Sequence, residues 1–334
     1  MNPPFTVLKP TSSRVPLVLD SPHSGTDYPE DFGAAIGLER LREAEDTYVD
    51  ELYHSGPDSG ATLIAAHFPR SYIDPNRSLL DIDASLMDAP WPGPAVPSRK
   101  TQLGIGLIWR LLDTGEPIYS RKLTVDEVKN RIVRYHQPYQ RAVKDALDEA
   151  HEHFGAVWHI NCHSMCATSG SSSDEGPGKQ RPDFVLGDRD GTTCEPEFTR
   201  YVADTLKGMG YSVRINDPYK GVELVRAFSD PKANRHSLQI EVNRRLYLDE
   251  RTRQKTPGFA RLERDIGAMV RRVAAFATER SHECAHDHPH HDHGHHGHSH
   301  GHEHKHGHDH DHGHDHGHDH AHDHHHDHDP NHKH

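Results

Sequence analysis

The chain has few cysteines and no long apolar run. Its four cysteines, Cys162, Cys166, Cys194 and Cys284, are spread over 334 residues, which does not suit the disulfide framework of a small secreted protein. No stretch of 18 apolar residues is present, so no membrane span is expected. The first residues also lack the charged-then-apolar layout of a signal peptide. These absences predict a cytoplasmic protein without a membrane partner.

Positive charge is also scarce. Lys and Arg number 38 against 51 Asp and Glu, and the net charge is −13. Residues 282–334 hold 27 of the 36 His, together with nine Asp, two Glu and two Lys, so this tail carries −9 and residues 1–281 carry −4. A mildly acidic domain without a basic stripe is not expected to bind nucleic acid. We therefore predict one folded domain over residues 1–281 and a separate tail over residues 282–334.

The tail consists almost only of His, Asp and Gly. It cannot bury an apolar core, so it is predicted to be disordered. Neutral imidazoles at this density bind Zn, Ni, Cu or Co in many interchangeable geometries. A purification tag is the trivial interpretation, but the interleaved Asp and Gly over 53 residues favour a natural segment that buffers metal ions.

Residues 1–281 alternate between short β-branched runs and longer helical patterns, which is typical of an α/β fold. Strands are predicted at residues 16–20, 61–66, 157–166, 183–186, 211–215 and 236–244. Helices are predicted near residues 38–54, 124–153, 195–207 and 258–280. Pro138 should kink or divide the second helix. The order of elements predicts a mixed, mostly parallel sheet with helices on both faces.

Histidines occur where two of these strands run out into loops. His23 lies in Ser-Pro-His-Ser-Gly after the first strand, and His163 lies near the end of the strand that begins at Val157. Ligands of open α/β sheets bind beyond the carboxyl ends of strands, and His is the commonest ligand for zinc-like metals. For His163, a core histidine satisfied by a backbone carbonyl is the alternative. Alternation directs Cys162 away from His163, which disfavours a thiolate site.

Carboxylates accompany these histidines. Asp46 and Asp50 are four residues apart in a predicted helix and would share a face. A like-charge pair at this spacing is mildly unfavourable, so it suggests a metal ion or a cationic partner, although a solvated acidic face is equally compatible. Glu241 shares a strand face with Gln239 near the end of the last strand. A charged residue on a sheet face is usually paired or catalytic.

The loop after the second strand carries Arg70, Asn76 and Arg77 and is stiffened by two prolines, Pro69 and Pro75. Guanidinium groups bind carboxylates through two parallel hydrogen bonds, so this loop suits a planar anion. Two histidines and one carboxylate would leave a fourth position open on a tetrahedral zinc, as catalysis requires. Glu241 is placed to take a proton from metal-activated water. The short motif His-Glu-x-x-His is absent, so spacing alone does not identify the site.

Four motifs in order, Ser-Pro-His-Ser-Gly, Tyr-Ile-Asp-Pro-Asn-Arg, Asn-Cys-His-Ser-Met and Gln-Ile-Glu-Val, resemble the N-formylglutamate amidohydrolase family. That family is similar to the zinc carboxypeptidases and to the aspartoacylase and succinylglutamate desuccinylase group. The resemblance implies a phosphorylase/hydrolase-like α/β fold. It also implies a metal-dependent amidohydrolase that removes the formyl or another short acyl group from an acidic N-acyl amino acid such as N-formylglutamate.

Carried over residue by residue, the resemblance makes His23 and His163 metal ligands and Glu241 the general base. It makes Asn76 and Arg77 the clamp for the substrate carboxylate. The implied metal is zinc, although another divalent metal ion would suit the same ligands.

The third metal ligand is where this chain departs from the relatives. They take it from a Glu shortly after the first His, whereas Ser-Gly-Thr-Asp27 follows His23 here. The acidic motif of the family resembles residues 45–50, which favours Asp46, with Asp50 second and Asp27 third.

Two predictions stay open beside the main one. Arg70 and Arg226 are the next candidates for substrate binding if Arg77 is not the clamp. A metal-handling protein is the alternative to an enzyme. In that case the hydrolase-like domain would be secondary, and the tail would store or deliver zinc or nickel.

Overall fold

The structure is a computed structural model that describes residues 3–170 and 176–286. Seven strands form its main sheet and two short ones form a separate ribbon. The strands are β1 Phe5–Leu8, β2 Leu17–Ser21, β3 Thr62–Ala66, β4 Val157–Met165, β5 Phe184–Gly187, β6 Val213–Ile215, β7 Arg235–Asn243, β8 Leu248–Asp249 and β9 Gln254–Lys255.

Helices connect most of these strands. They are α1 Leu38–Leu41, α2 Val49–Leu52, α3 Arg99–Gln102, α4 Val125–Arg131, α5 Gln137–Phe154, α6 Pro196–Gly208, α7 Glu223–Ala227 and α8 Phe259–His286. A π-helical turn, Ile132–His136, joins α4 to α5.

The main sheet has the strand order β1-β3-β2-β4-β7-β5-β6. Its four central strands, β3, β2, β4 and β7, are mutually parallel. Strands β1 and β5 pair antiparallel with their inner neighbours, while β6 runs parallel to β5. The predicted mixed, mostly parallel sheet is confirmed, and β1 is the strand of this sheet that the sequence analysis missed.

Helices cover both faces of the sheet, as predicted. On the first, here called the α8 face, Leu19, Ile160 and Ile240 pack with residues of α8 such as Ile266 and Val270. On the opposite α5 face, an apolar cluster joins strand residues to α5. Its members include Val18, Ile64, Val157, Tyr139, Val143 and Leu147. Strand residues therefore alternate between two cores.

The predicted helix over residues 38–54 is wrong. The chain forms α1, then a 3-10 turn over Arg42–Ala44, and leaves helical geometry before α2 begins at Val49. Tyr48 has a φ of 65°, a conformation that a bulky residue rarely adopts and that stops a helix. Asp46 therefore lies in a loop and shares no helical face with Asp50. Its amide instead donates to the carbonyl of His23 at 3.0 Å, which ties the loop to the end of β2.

Pro138 divides the next helix, as predicted. Helix α4 begins with a capping box between Thr124 and Glu127 and ends at Arg131. Pro138 occupies the first turn of α5, after the π-helical turn. Proline lacks the amide hydrogen that a continuous helix needs at that position, so the wider turn accommodates it.

The long last helix, α8, runs past the predicted end near residue 280 to His286. Within residues 3–170 and 176–286, none of the helices combines the length and the apolar character that spanning a membrane requires. The tail is predicted to be disordered and to bind metal ions. Its residues beyond His286 lie outside the described part of the chain.

Candidate active site

The carboxyl ends of β2, β4 and β7 bring together residues that are far apart in the sequence. His23 follows the end of β2, and His163 lies near the end of β4. Glu241 of β7 is the direct register partner of His163. Parallel neighbours in register present their side chains on the same face. All three side chains are buried, so they form one enclosed polar cluster.

Asp46 completes this cluster from its loop. Its Oδ2 atom lies 3.0 Å from Nδ1 of His163 and 3.4 Å from Nδ1 of His23. The two imidazole rings are 4.7 Å apart between centroids. His23, Asp46 and His163, here called the donor set, each offer one ligand atom, and these atoms lie within 4.8 Å of one another. These three residues could hold a metal ion.

His23 is oriented as a metal ligand would be. Its Nε2 atom lies 2.7 Å from Oδ1 of Asp74. A carboxylate accepts hydrogen bonds, so Nε2 carries the hydrogen. Its Nδ1 atom points into the donor set and is a buried nitrogen without a hydrogen-bond partner. Ligating histidines commonly donate their second N–H to a carboxylate or carbonyl, and a buried lone pair beside a carboxylate fits a zinc-like cation.

Two arginines balance the charge of Asp46. Nη2 of Arg244 donates to Oδ1 of Asp46 at 3.0 Å and also to the carbonyl of Glu45. Nη1 of Arg70 lies 3.8 Å from the same Oδ1. Burial alone would raise the pKa of Asp46, but its close contacts with the rings of His163 and His23 and the charge of Arg70 hold it well below the usual value. Asp46 therefore stays ionised, as a metal ligand must be.

Arg244 and Asp74 are site residues that the sequence analysis did not identify. Arg244 directly follows β7, so its place after a strand end was an available signal. Asp74 lies within the Tyr-Ile-Asp-Pro-Asn-Arg motif and is fully buried. It accepts hydrogen bonds from Arg70 and Trp109 as well as from His23. Burial would raise the pKa of Asp74, but His23 and two arginines lower it well below its ordinary value.

Glu241 has a different protonation chemistry. Burial raises its pKa to about 7. His163 and the positive charges of Arg70 and Arg244 oppose the shift, and the negative charge of Asp46 adds to it. Its Oε1 atom accepts a hydrogen bond of 2.9 Å from Gln239. A carboxyl group with a pKa near neutrality can both take up and release a proton at physiological pH.

The predicted substrate-binding residues occupy different positions. Nδ2 of Asn76 lies 3.2 Å from Nε2 of His163, so Asn76 adjoins the donor set. Arg77 is buried, and its guanidinium group donates to the carbonyls of Ile105 and Asn76. Arg70 is partly exposed and stacks over the ring of Trp109 at 4.9 Å.

The described contacts of Arg226 do not include Asn76, Arg77 or Arg70. It belongs to the short helix α7 and forms an ion pair with Glu223, and its side chain is 53% exposed. The described contacts of Arg226 therefore involve its own helix rather than the donor set.

Asp27 and Asp50, the alternative carboxylate ligands, line a cavity of about 300 Å³ together with Ser24 and His67. The three residues of the donor set do not line this cavity. Cys162 packs in the apolar core of the α8 face, on the side of β4 that faces away from His163, as the alternation predicted.

Comparisons with known proteins agree with the four sequence motifs. Residues 15–248 match the family described as N-formylglutamate amidohydrolase. An N-formylglutamate deformylase from Pseudomonas putida is 29% identical over 253 residues, which cover 73% of this chain and 86% of that protein. The corresponding enzyme from Pseudomonas aeruginosa is 28% identical over 249 residues, with the same coverage.

Solved structures give the same result. A crystal structure of N-formylglutamate amidohydrolase from Ralstonia eutropha is 50% identical with a TM-score of 0.79, and the match covers 83% of this chain and 99% of that one. An Agrobacterium tumefaciens protein is 16% identical with a TM-score of 0.60, over 84% of this chain and 96% of that one, and shares the fold. These matches favour a hydrolase and give no support to the metal-handling alternative. The chain belongs to the N-formylglutamate amidohydrolase family.

Proposed function

We propose that this chain hydrolyses the formyl amide of N-formylglutamate, or of a closely related acidic N-acyl amino acid, with the help of a divalent metal ion held by His23, Asp46 and His163. The observation that carries the proposal is the convergence of these three buried donors beside Glu241. The family match supports the reaction class, and the name of the relatives supplies the substrate.

In the proposed reaction, water adds to the formyl carbon and the carbon–nitrogen bond breaks. Formate and the free amino acid are the products. A bound zinc-like cation would act as a Lewis acid, polarising the amide carbonyl and activating water for attack. Glu241 accepts one proton of the attacking water and returns a proton to the departing amine nitrogen. Its pKa of about 7 suits both transfers.

Arginines provide the expected preference for an acidic substrate. Arg70 and Arg77 place two positive charges along one loop near the donor set, and Asn76 adds an amide between them and His163. The hydrogen bonds from Arg77 to Ile105 and Asn76 use two of its five N–H donors and hold its guanidinium plane in place. A rigid guanidinium group favours a planar carboxylate over a neutral side chain.

The test is formate release by the full chain from matched substrates. N-formylglutamate is compared with N-formylglutamine, which has the same shape without the side-chain charge, and with N-acetylglutamate, which changes only the acyl group. We expect kcat/KM to be highest for N-formylglutamate and at least ~10-fold lower for the glutamine analogue, since a charge-assisted hydrogen bond contributes about 1.5–3 kcal/mol.

Metal dependence is tested in the same assay. Dialysis against a strong chelator should remove activity, and buffered free Zn²⁺ or another divalent ion should restore it. Full activity at vanishing free metal would contradict a metal-dependent reaction. No turnover of any N-acyl amino acid at saturating metal would contradict the proposed substrate class.

A further inference from the structure

A buried polar network lies behind the donor set on the α5 face of the sheet. Asp20 of β2 and His159 and Asn161 of β4 are inaccessible to solvent. Oδ1 of Asp20 lies 2.8 Å from Nδ2 of Asn161 and 2.8 Å from Nε2 of His159. Oδ1 of Asn161 in turn lies 2.6 Å from Nε2 of His163. The network thus ends on a residue of the donor set.

Asp20 is held as a carboxylate. The hydroxyl of Tyr139 donates to its Oδ2 atom at 2.8 Å, in addition to the donors on Oδ1. Burial alone would raise the pKa of Asp20, but hydrogen bonds from His159, Asn161 and Tyr139 more than offset this effect and lower it. An ionised carboxylate only accepts hydrogen bonds. Asn161 must therefore turn its NH2 group towards Asp20.

This orientation leaves the oxygen of Asn161 facing His163. The neighbouring Asn76 agrees with it, because Oδ1 of Asn76 accepts from the amide of Leu224 and its Nδ2 donates to Oδ1 of Asn161 at 3.4 Å. Nε2 of His163 has two polar neighbours, Oδ1 of Asn161 at 2.6 Å and Nδ2 of Asn76 at 3.2 Å. Because the closer neighbour is an acceptor, this nitrogen carries a hydrogen, and Nδ2 of Asn76 donates to Asn161 instead. The nitrogen of His163 that can bind a cation is consequently Nδ1, which faces Asp46.

We propose that Asp20 and Asn161 form a relay that holds His163 in the tautomer whose Nδ1 atom binds the metal ion. Both are positioning residues, and the inference rests on the proposed function of the donor set. His163 donates to the amide oxygen of Asn161, and the NH2 group of Asn161 donates to the ionised Asp20. The fixed charge of Asp20 therefore sets which ring nitrogen of His163 carries the hydrogen, as well as the ring orientation.

The same network contains a Ser-His-Asp arrangement that has another explanation. Oγ of Ser237 lies 2.7 Å from Nδ1 of His159, whose Nε2 contacts Asp20. A hydrolytic triad needs a nucleophile open to substrate, and all three of these side chains are fully buried between strands. Their hydrogen bonds satisfy His159 and help to keep Asp20 ionised.

The first test removes the acceptor. In Asn161→Leu the new side chain has a similar volume but cannot accept a hydrogen bond from Nε2 of His163. The full chain is assayed in metal buffers that fix free Zn²⁺, so that metal bound elsewhere on the chain does not alter the reading. We expect the free Zn²⁺ needed for half-maximal activity to rise by a factor of about 10 to 100, with kcat at saturating metal much less affected.

The second test exchanges the two groups. Asn161→Asp alone would place two carboxylates in contact, and we expect it to weaken metal binding and folding. The double variant Asp20→Asn with Asn161→Asp restores one amide, one carboxylate and an acceptor for His163. His159 can adapt by exchanging tautomers against the Ser237 hydroxyl, which both donates and accepts. We expect the double variant to need at most a few-fold more Zn²⁺ than the original chain.

Tyr139→Phe is the matched control, because it removes one hydrogen bond to Asp20 and leaves the donors His159 and Asn161 in place. A readout without metal or activity comes from ¹⁵N-histidine spectra of the metal-free chain. The exchange-protected Nε2–H signal of His163, identified by its loss in His163→Gln, should persist in Tyr139→Phe and in the double variant but disappear in Asn161→Leu.

An unchanged Zn²⁺ requirement in Asn161→Leu would overturn the relay, and so would a double variant as impaired as Asn161→Asp. If Asn161→Leu does not fold, the double variant and its Nε2–H signal decide alone. Failure of the proposed function is distinguishable, because activity would then be independent of Zn²⁺ in the unsubstituted chain.

Discussion

The two faces of the same three strands differ sharply in chemistry although both are buried. On the α8 face, β2, β4 and β7 present Leu19, Ile160, Cys162, Ile240 and Val242 to an apolar core. The residues next to these in each strand point to the α5 face, and they are also buried. They are Asp20, His159, Asn161, His163, Gln239 and Glu241. Alternation therefore lets one set of strands stabilise the fold and build a reactive site.

Burying charged side chains costs free energy, and hydrogen bonds to the carboxylates in and around the polar face offset this cost. Asp20, Asp46 and Asp74 each have several donors that keep them ionised. Glu241 has Gln239 as its hydrogen-bond donor, and burial raises its pKa to about 7. A buried group with one partner is less stable and more reactive than a fully satisfied one. This difference distinguishes the proposed base from the three carboxylates that stay ionised.

Substitution of His163 on the polar face should have the largest effect on activity. His163→Ala removes one of three donors, and we expect activity at saturating Zn²⁺ to fall by a factor on the order of 10³ or more, since metal assistance supplies several kcal/mol. Formate release measures this. Its neighbour on the other face is the control: Cys162→Ala should keep kcat. Substantial activity in His163→Ala would remove His163 from the metal site.

The next effect concerns the proposed base. Glu241→Gln keeps the size of the side chain and removes its basicity, so kcat should fall by a factor on the order of 10² to 10⁴. The free Zn²⁺ needed for half-maximal activity should not change, because Glu241 is outside the donor set. Val242→Ala, on the opposite face, serves as the control. If Glu241→Gln retained full kcat, another group would have to accept the proton.

The apolar face should show the reverse pattern. Ile160→Ala leaves a cavity in the core of the α8 face, and we expect the free energy of unfolding to fall by about 2–5 kcal/mol. Activity per folded molecule should be retained, because Ile160 points away from the donor set. Chemical unfolding followed by active-site titration would test this. A selective loss of kcat would show that the two faces are mechanically coupled.

Glu241→Gln should also stabilise the metal-free protein at high pH. The folded-state pKa of about 7 lies above the ordinary value of 4.5, so the folded chain prefers the protonated form. The resulting penalty is absent below pH 4.5, grows as pH rises towards 7 and is constant above it. Glu241→Gln should therefore gain about 3 kcal/mol at pH 8 and almost nothing at pH 4. Unfolding with chelator at both pH values measures the gain, and equal gains would contradict the raised pKa.

The smallest expected effect lies outside the sheet, at the proposed carboxylate clamp. Arg77→Lys keeps the charge but cannot form two parallel hydrogen bonds, so KM for N-formylglutamate should rise about 10-fold with kcat little changed. N-formylglutamine is the control substrate and should be less affected. An unchanged KM for the acidic substrate would move the clamp to Arg70, which lies close to the donor set, whereas the described contacts of Arg226 involve its own helix.

Local sequence patterns were sufficient to predict most of the sheet. The predicted strands agree with β2 to β7 within about two residues, because alternating or continuous apolar runs are a local signal. The four-residue β1 lies between prolines and carries a weak signal, so its pairing with β3 became evident in the structure. Alternation likewise assigned Cys162 and His163 to opposite faces.

The assembly of the site depends on long-range contacts that local patterns do not encode. The resemblance favours Asp46 as a metal ligand, but the helix predicted around it is not formed. A long-range hydrogen bond from its amide to the carbonyl of His23 holds Asp46 at the site. The relay from Asp20 through Asn161 and the pairing of Asp74 with His23 join residues on separate strands and loops. Propensity and periodicity act over a few neighbouring residues, whereas hydrogen-bond direction and burial depend on groups that meet only when the chain folds.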